Sequence, residues 1–212
     1  APNKEKLLKN AQMIDDSSAD IISDDTDFFR TDISEGCDNY AMFWGYPSMR
    51  SFHSTVSPSV MEFYNSIGIR RDVASRAETS AYALRGLFSV KYYFSRYDDE
   101  TGEEEKAPDM PAFVKISDGD KFAVYKNTAY IPLGFTYDTY ISAEDFEALP
   151  DDKKPNALMN SILLDSGQIQ KYSGLLEKAE LKPSLLTKQT YLSDCSIHRS
   201  NACYDFSKST GG

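Results

Sequence analysis

The chain has 212 residues, and 33 Asp and Glu set against 23 Lys and Arg give it a net charge of −10. With 41% hydrophobic and 13% aromatic residues it can bury a core, which excludes global disorder and leaves one large domain or two small ones. No basic patch offsets the acidic balance, so duplex nucleic acid and an anionic bilayer surface are excluded as main partners, because both are bound through clustered Lys and Arg.

At the N-terminus Leu7, Ala11 and Ile14 share one helical face, and Ala19 and Ile22 continue it after a break at 15–18, predicting one or two short helices. Asp15, Asp16, Asp20, Asp24, Asp25 and Asp27 lie in this region with no base among them. EF-hand spacing, with its central Gly and terminal Glu, is missing, so these acids read as a solvated face rather than a calcium site. Residues 28–33 alternate as a strand, and the polar, aromatic stretch 40–58 has no helical period and reads as a long ordered loop.

Ser57 and Pro58 then form an N-cap and first-turn pair; Val60, Phe63, Tyr64 and Ile67 repeat at helical spacing, and Gly68 supplies a left-handed stop. A second start signal, Ser75 to Glu78, leads into Ala81 and Leu84; Gly86 is expected to break that helix ahead of a buried strand at 87–94. The acid-rich 97–106 reads as an exposed, disordered loop between strands. Residues 113–116 and 122–125 form a hairpin around Asp118-Gly119, where Gly is expected to supply a positive φ.

A further strand is predicted at 133–137, then a helix capped by Ser142 and Asp145, then a helix from Pro155 carrying Leu158, Ile162 and Leu163. Beyond it the pattern weakens, and the closing YDFSKSTGG reads as a truncated end that closes no element. Strand signals interleaved with capped helices predict an α/β fold, a mixed sheet of about five strands flanked by helices. One domain is expected over 1–190, with 191–212 as a tail.

No uncharged stretch approaches the roughly 18 residues that span a bilayer, and APNKEKLLKN lacks a signal-peptide core. An excised loop domain of a membrane protein would look the same. Cys37, Cys195 and Cys203 are odd in number and form no CxxC pair, and His53 and His198 are the only imidazoles, which argues against structural zinc. Cys195 and Cys203 would close a short disulfide loop in an oxidising compartment; buried or idle thiols are the alternative. There is no GxSxG, GxxxxGK[ST] or GxGxxG, so no catalytic residue and no cofactor is assigned.

The segment 40–58 gathers Tyr40, Phe43, Trp44, Tyr46, Arg50, Phe52 and His53. Aromatic faces beside hydrogen-bonding groups suit sugar rings, so Trp44, Tyr46, Arg50 and His53 are the candidate ligand-binding residues, expected along a partly open groove. The alternative is that these rings pin the loop to the core.

FFRTDIS at 28–34, DNYAMFWGYPSMRSFHSTVSPSVMEFYNSIGI at 38–69, LRGLFSVKYYFS at 84–95 and FAVYKNTAYIPLGFTYDTYIS at 122–142, in that order, resemble the extracytoplasmic region of the YfhO family of bacterial polytopic membrane proteins. The resemblance covers most of 28–142 and continues weakly to about 181. It implies a parent similar to GT-C glycosyltransferases, which take sugar from a polyprenyl-phosphate donor on the outer membrane face, here for a cell-envelope polymer such as the teichoic acid of Gram-positive bacteria. The catalytic carboxylate of that class belongs to a membrane loop that no part of this chain matches, and the tail resembles the lead into a missing β-sandwich. The implied partners are the chain's own transmembrane bundle and an envelope glycan or polyprenyl-linked sugar, at the extracellular face of the cell membrane. A surface module that binds carbohydrate or protein without catalysis is the rival reading.

Overall fold

The computed structural model describes residues 16–71, 73–104 and 109–201, together with positions 4 and 11. Its central strand is β4 (Val90–Arg96), an aromatic, β-branched run whose first six residues are all buried. β1 (Arg30–Ile33) lies parallel to it on one side, and β6 (Phe122–Asn127) lies antiparallel on the other. β5 (Phe113–Asp118) closes the hairpin with β6, giving a mixed four-stranded sheet in the order β1-β4-β6-β5. The α/β class expected from the sequence is therefore present.

A parallel β1–β4 pair cannot be joined by a tight turn, and its crossover carries most of the remaining N-terminal half. It runs through α1 (Tyr40–Phe43), a two-strand ribbon of β2 (Ser51–Phe52) with β3 (Ala74–Ser75), α2 (Pro58–Ser66) between them, and α3 (Ala83–Leu87). A second, all-parallel sheet follows in the order β8-β7-β9, from β7 (Thr139–Ser142), β8 (Ile162–Leu164) and β9 (Glu177–Lys178). It is interleaved with α4 (Ala143–Glu147), α5 (Lys154–Asn160) and α6 (Ser166–Tyr172), and α7 (Lys188–Ser200) packs back on α5. One hydrophobic cluster joins the two sheets, with Val90, Leu84 and Tyr64 from the first half and Ile141, Phe146 and Leu158 from the second among its members.

Several local expectations change. Gly86 does not break α3; it lies inside it, because a Cβ there would meet the Tyr191 ring and the Met159 methyl at 3.1 and 3.2 Å, so glycine lets three helices close on one another. Gly119 does not adopt a positive φ. It is required because the Ser18 side chain occupies the space a Cβ would need. Residues 133–137 form no strand: Gly134 sits at φ 93°, and Phe135 and Tyr137 stack on His198 at 4.4 and 5.2 Å instead of entering a ladder. The helix from Pro155 stops at Asn160, and Ile162 and Leu163 pair with β7.

The acid-rich loop is ordered over its described part. Asp98 caps a turn through Glu100 and Thr101, and Glu104 accepts from Tyr125 and pairs with Lys115. Asp25 and Asp27 are likewise no mere solvated face, since both contact Lys91 Nζ at 2.6 Å. α7 runs across the expected 190/191 boundary with Tyr191, Cys195 and His198 buried. Cys203, the partner expected for Cys195, and the YDFSKSTGG tail lie outside the described residues, as do Leu7 and Ile14.

Candidate functional site

The four residues singled out in the aromatic loop occupy four different settings. Trp44 is half-buried against Phe94 at 5.0 Å and Phe122 at 5.4 Å, the same face of the four-stranded sheet that buries Ile33. Tyr46 tilts over Phe29 at 6.0 Å, and its hydroxyl donates to the Ala19 carbonyl at 3.1 Å. His53 is exposed, anchored through its backbone N–H to Val73 O at 2.6 Å. Arg50 is 8% exposed and belongs to a network of buried charge.

That network starts at Asp32 on β1, itself 1% exposed. Arg85 on α3 donates Nε and Nη2 to Asp32 Oδ2 at 3.1 and 2.7 Å, and its remaining N–H groups bond to the carbonyls of Ala77, Glu78 and Ala81. A fully buried guanidinium is tolerable because every donor is used. Arg50 Nε lies 3.8 Å from Asp32 Oδ1, and its Nη1 lies 3.7 Å from Asp38 Oδ1. Asp38 Oδ2 then takes Nε and Nη2 of Arg76, at 2.8 and 2.7 Å. The nearby Tyr93 hydroxyl is pushed up to about 12 by burial, with the Asp32 charge adding to it.

Arg76 opens onto a cleft of about 400 Å³. Its floor is apolar, from Ile67, Ile69, Ala81 and Pro155, and its rim carries Arg70, Arg76, Glu78, Ser80, Asp151 and Asp152. Two turns shape it. Gly68, at φ 73°, ends α2 so tightly that a Cβ would run into the Asp151 carboxyl, and Asp151 is fixed by Lys154 Nζ at 2.8 Å. Guanidinium donors and carboxylate acceptors around an apolar floor can bind a ligand that presents hydroxyls and C–H faces together. The cleft thus uses Arg50 only from behind, through Asp38 and Arg76.

The sequence did not single out Arg70, Arg76, Glu78, Asp151 or Asp152, because their two groups are about 70 to 80 positions apart: the first lies in the β1–β4 crossover, the second just before α5, and the packing of α3 against α5 brings them together. The only signal present was the turn chemistry of Gly68 and the acids before Pro155. A nucleophile reading of α7 also fails on geometry. Asp194, Cys195 and His198 lie within one turn, but the thiol is fully buried and pushed up to about 11 by that burial, and His198 Nε2 is committed to Met159 O at 2.6 Å. Among the described residues, no group of three or more His, Cys, Asp or Glu could hold a metal ion.

With the fold and the cleft described, comparison with known proteins gives the class. The chain belongs to the YfhO family: the model of "Bacterial membrane protein YfhO" matches residues 2–211. An uncharacterized protein YfhO from Bacillus subtilis (strain 168) is 27% identical over 171 residues, which is 78% of this chain and 19% of that protein. The chain therefore spans less than a fifth of the curated relative's length. No solved structure matches it, and no helix among the described residues is long and apolar enough to cross a membrane.

Proposed function

We propose that this chain is the extracytoplasmic domain of a membrane protein that resembles GT-C glycosyltransferases, and that it assists sugar transfer from a polyprenyl-phosphate donor to a cell-envelope polymer such as a teichoic acid. The observation that carries this reading is membership of a bacterial membrane-protein family by a chain that matches 19% of a relative. The domain is not the catalyst in this reading. Its cleft takes the polymer, whose hydroxyls meet Arg70, Arg76 and Glu78 while ring faces lie on Ile69 and Pro155. Of the aromatic-loop residues, exposed His53 offers direct contact, Trp44 and Tyr46 hold the loop on the sheet, and Arg50 sets Arg76.

The rival, a surface module that binds glycan or protein without serving an enzyme, is kept because the same cleft would suffice for it. Cells producing the full-length protein separate the two. Deleting this domain should abolish sugar decoration of the envelope polymer, and a membrane-impermeant maleimide should label Ser54→Cys in intact cells. Unchanged decoration, or labelling only after lysis, would overturn the proposal.

A further inference from the structure

Residues 39–61 contain a single charged side chain, Arg50, and it is buried. In a chain that is 26% charged with a net charge of −10, the surface of this stretch is left neutral. It is also apolar: Phe43 is 67% exposed, Met42 58% and Phe52 45%, with Val73, Val60 and Met61 exposed as well. These residues come from separate elements that bonding draws together. Asn39, the N-cap of α1, exchanges side-chain hydrogen bonds with both backbone groups of Phe52, at 2.8 and 3.1 Å. Phe52 pairs with Ala74, next to Val73, in the β2–β3 ribbon, and Arg71 spans from Ser75 Oγ at 2.8 Å to Met61 Sδ at 3.5 Å.

We infer that this neutral apolar face docks against the membrane-embedded remainder of its own polypeptide. The inference rests on family membership and needs neither the sugar-transfer reading nor outward placement. Two arguments select the occupant. A face that enters lipid directly is ordinarily flanked by Lys and Arg that meet the headgroups; here the one base of 39–61 is buried in ion pairs, and the exposed Arg70 and Arg76 on either side of Val73 line the cleft. A patch of a few side chains is also too small for stable association with a free partner, which takes about 1,000 Å² or more, but it suffices for a tethered one, since covalent linkage supplies a high local concentration. The exposed apolar residues of β5 differ: Val114 and Ile116 flank Lys115, which pairs with Glu104 and Asp118, so they are single residues on a charged surface.

The test uses the full-length protein in opened membranes, where both faces are accessible and sidedness has no bearing. A photoreactive benzophenone amino acid replaces Phe43, Phe52 or, as control, Ile116. Phe43 and Phe52 positions should crosslink within the same polypeptide, to apolar peptides outside residues 1–212, whereas the Ile116 position should not. In parallel, Phe43→Cys should react with a water-soluble maleimide about tenfold more slowly than Ile116→Cys, since thiol labelling follows exposure. Adducts to lipid alone, crosslinks to a different polypeptide, or products and rates equal to those of the control would overturn the inference. Failure of the outward-placement test with these results intact would leave it standing.

Discussion

Arg85 and Arg76 show how differently one residue type weighs in this molecule. Arg85 is fully buried and is the closest cation to Asp32 among the described residues, so Arg85→Met strands a carboxylate with Arg50 no nearer than 3.8 Å. The cost should be about 3–5 kcal/mol in urea unfolding. Arg76 is half exposed, and Arg76→Ala should cost under about 1 kcal/mol while weakening whatever the cleft binds. Equal destabilisation by the two would mean that the network is read wrongly. Gly68→Ala combines a positive φ with a collision at Asp151, and about 1–3 kcal/mol of strain is expected, measured the same way.

Among the elements, the 3-10 turn at Ser17–Ile22 and the segment after it are held to the sheet by charge as much as by Ile22 and Phe29. Burial alone would push the Asp25 carboxyl up, but hydrogen bonds from Lys91 and Tyr92 outweigh it and leave Asp25 below its usual value. Burial would lower Lys91, yet its bonds to Asp25 and Asp27 leave it raised. A depressed carboxylate stabilises the fold above its unfolded value of about 3.9, and that contribution is lost as pH falls through the lower folded value. A raised lysine contributes below about 10.4 and loses the contribution as pH rises through the higher folded value. Thermal melts of Asp25→Asn should therefore fall below those of the parent across neutral pH and converge with them in acid, at pH below the folded value. A difference that persists in strong acid would assign the role to packing.

How far the elements were legible depends on which residues carried their pattern. α2 was readable from Ser57-Pro58 and Gly68, and α4 from Ser142, whose side chain does accept the Asp145 N–H. α7, the 13-residue helix, was missed although Tyr191, Cys195 and His198 keep a 4-then-3 spacing, because none of them is aliphatic. Its start was hidden too, since the capping box is Thr187 with Thr190 rather than with Glu or Gln. Thr187→Ala should cost about 1 kcal/mol in denaturant unfolding, and no loss would show that packing alone holds that end. β9 is two exposed residues, Glu177 and Lys178, fixed by pairing with β7, and no local signal could have found it. The cleft was illegible for a related reason: its chemistry is local to two turns, but their meeting depends on the packing of α3 against α5.

At the scale of the whole molecule, the two sheets share one apolar cluster, and this decides how the chain unfolds. Val90 of β4 and Leu84 of α3 share the cluster with Ile141 of β7 and Leu158 of α5, and Met49 brings the aromatic loop into it. Continuous burial across both sheets couples their stabilities, as separate cores would not. Trp44, the single tryptophan, sits on Phe94 and Phe122 in the first sheet, whereas Leu158 belongs to α5 beside the second. Leu158→Ala removes buried methyl groups and should cost about 2–5 kcal/mol. If the core is one unit, that loss should move the Trp44 fluorescence transition and the far-ultraviolet circular-dichroism transition together, to the same lower urea midpoint. A Trp44 transition left in place while the dichroism change splits in two would show that the second sheet melts alone, and the cleft, which is built from both halves, would then open before the aromatic face does.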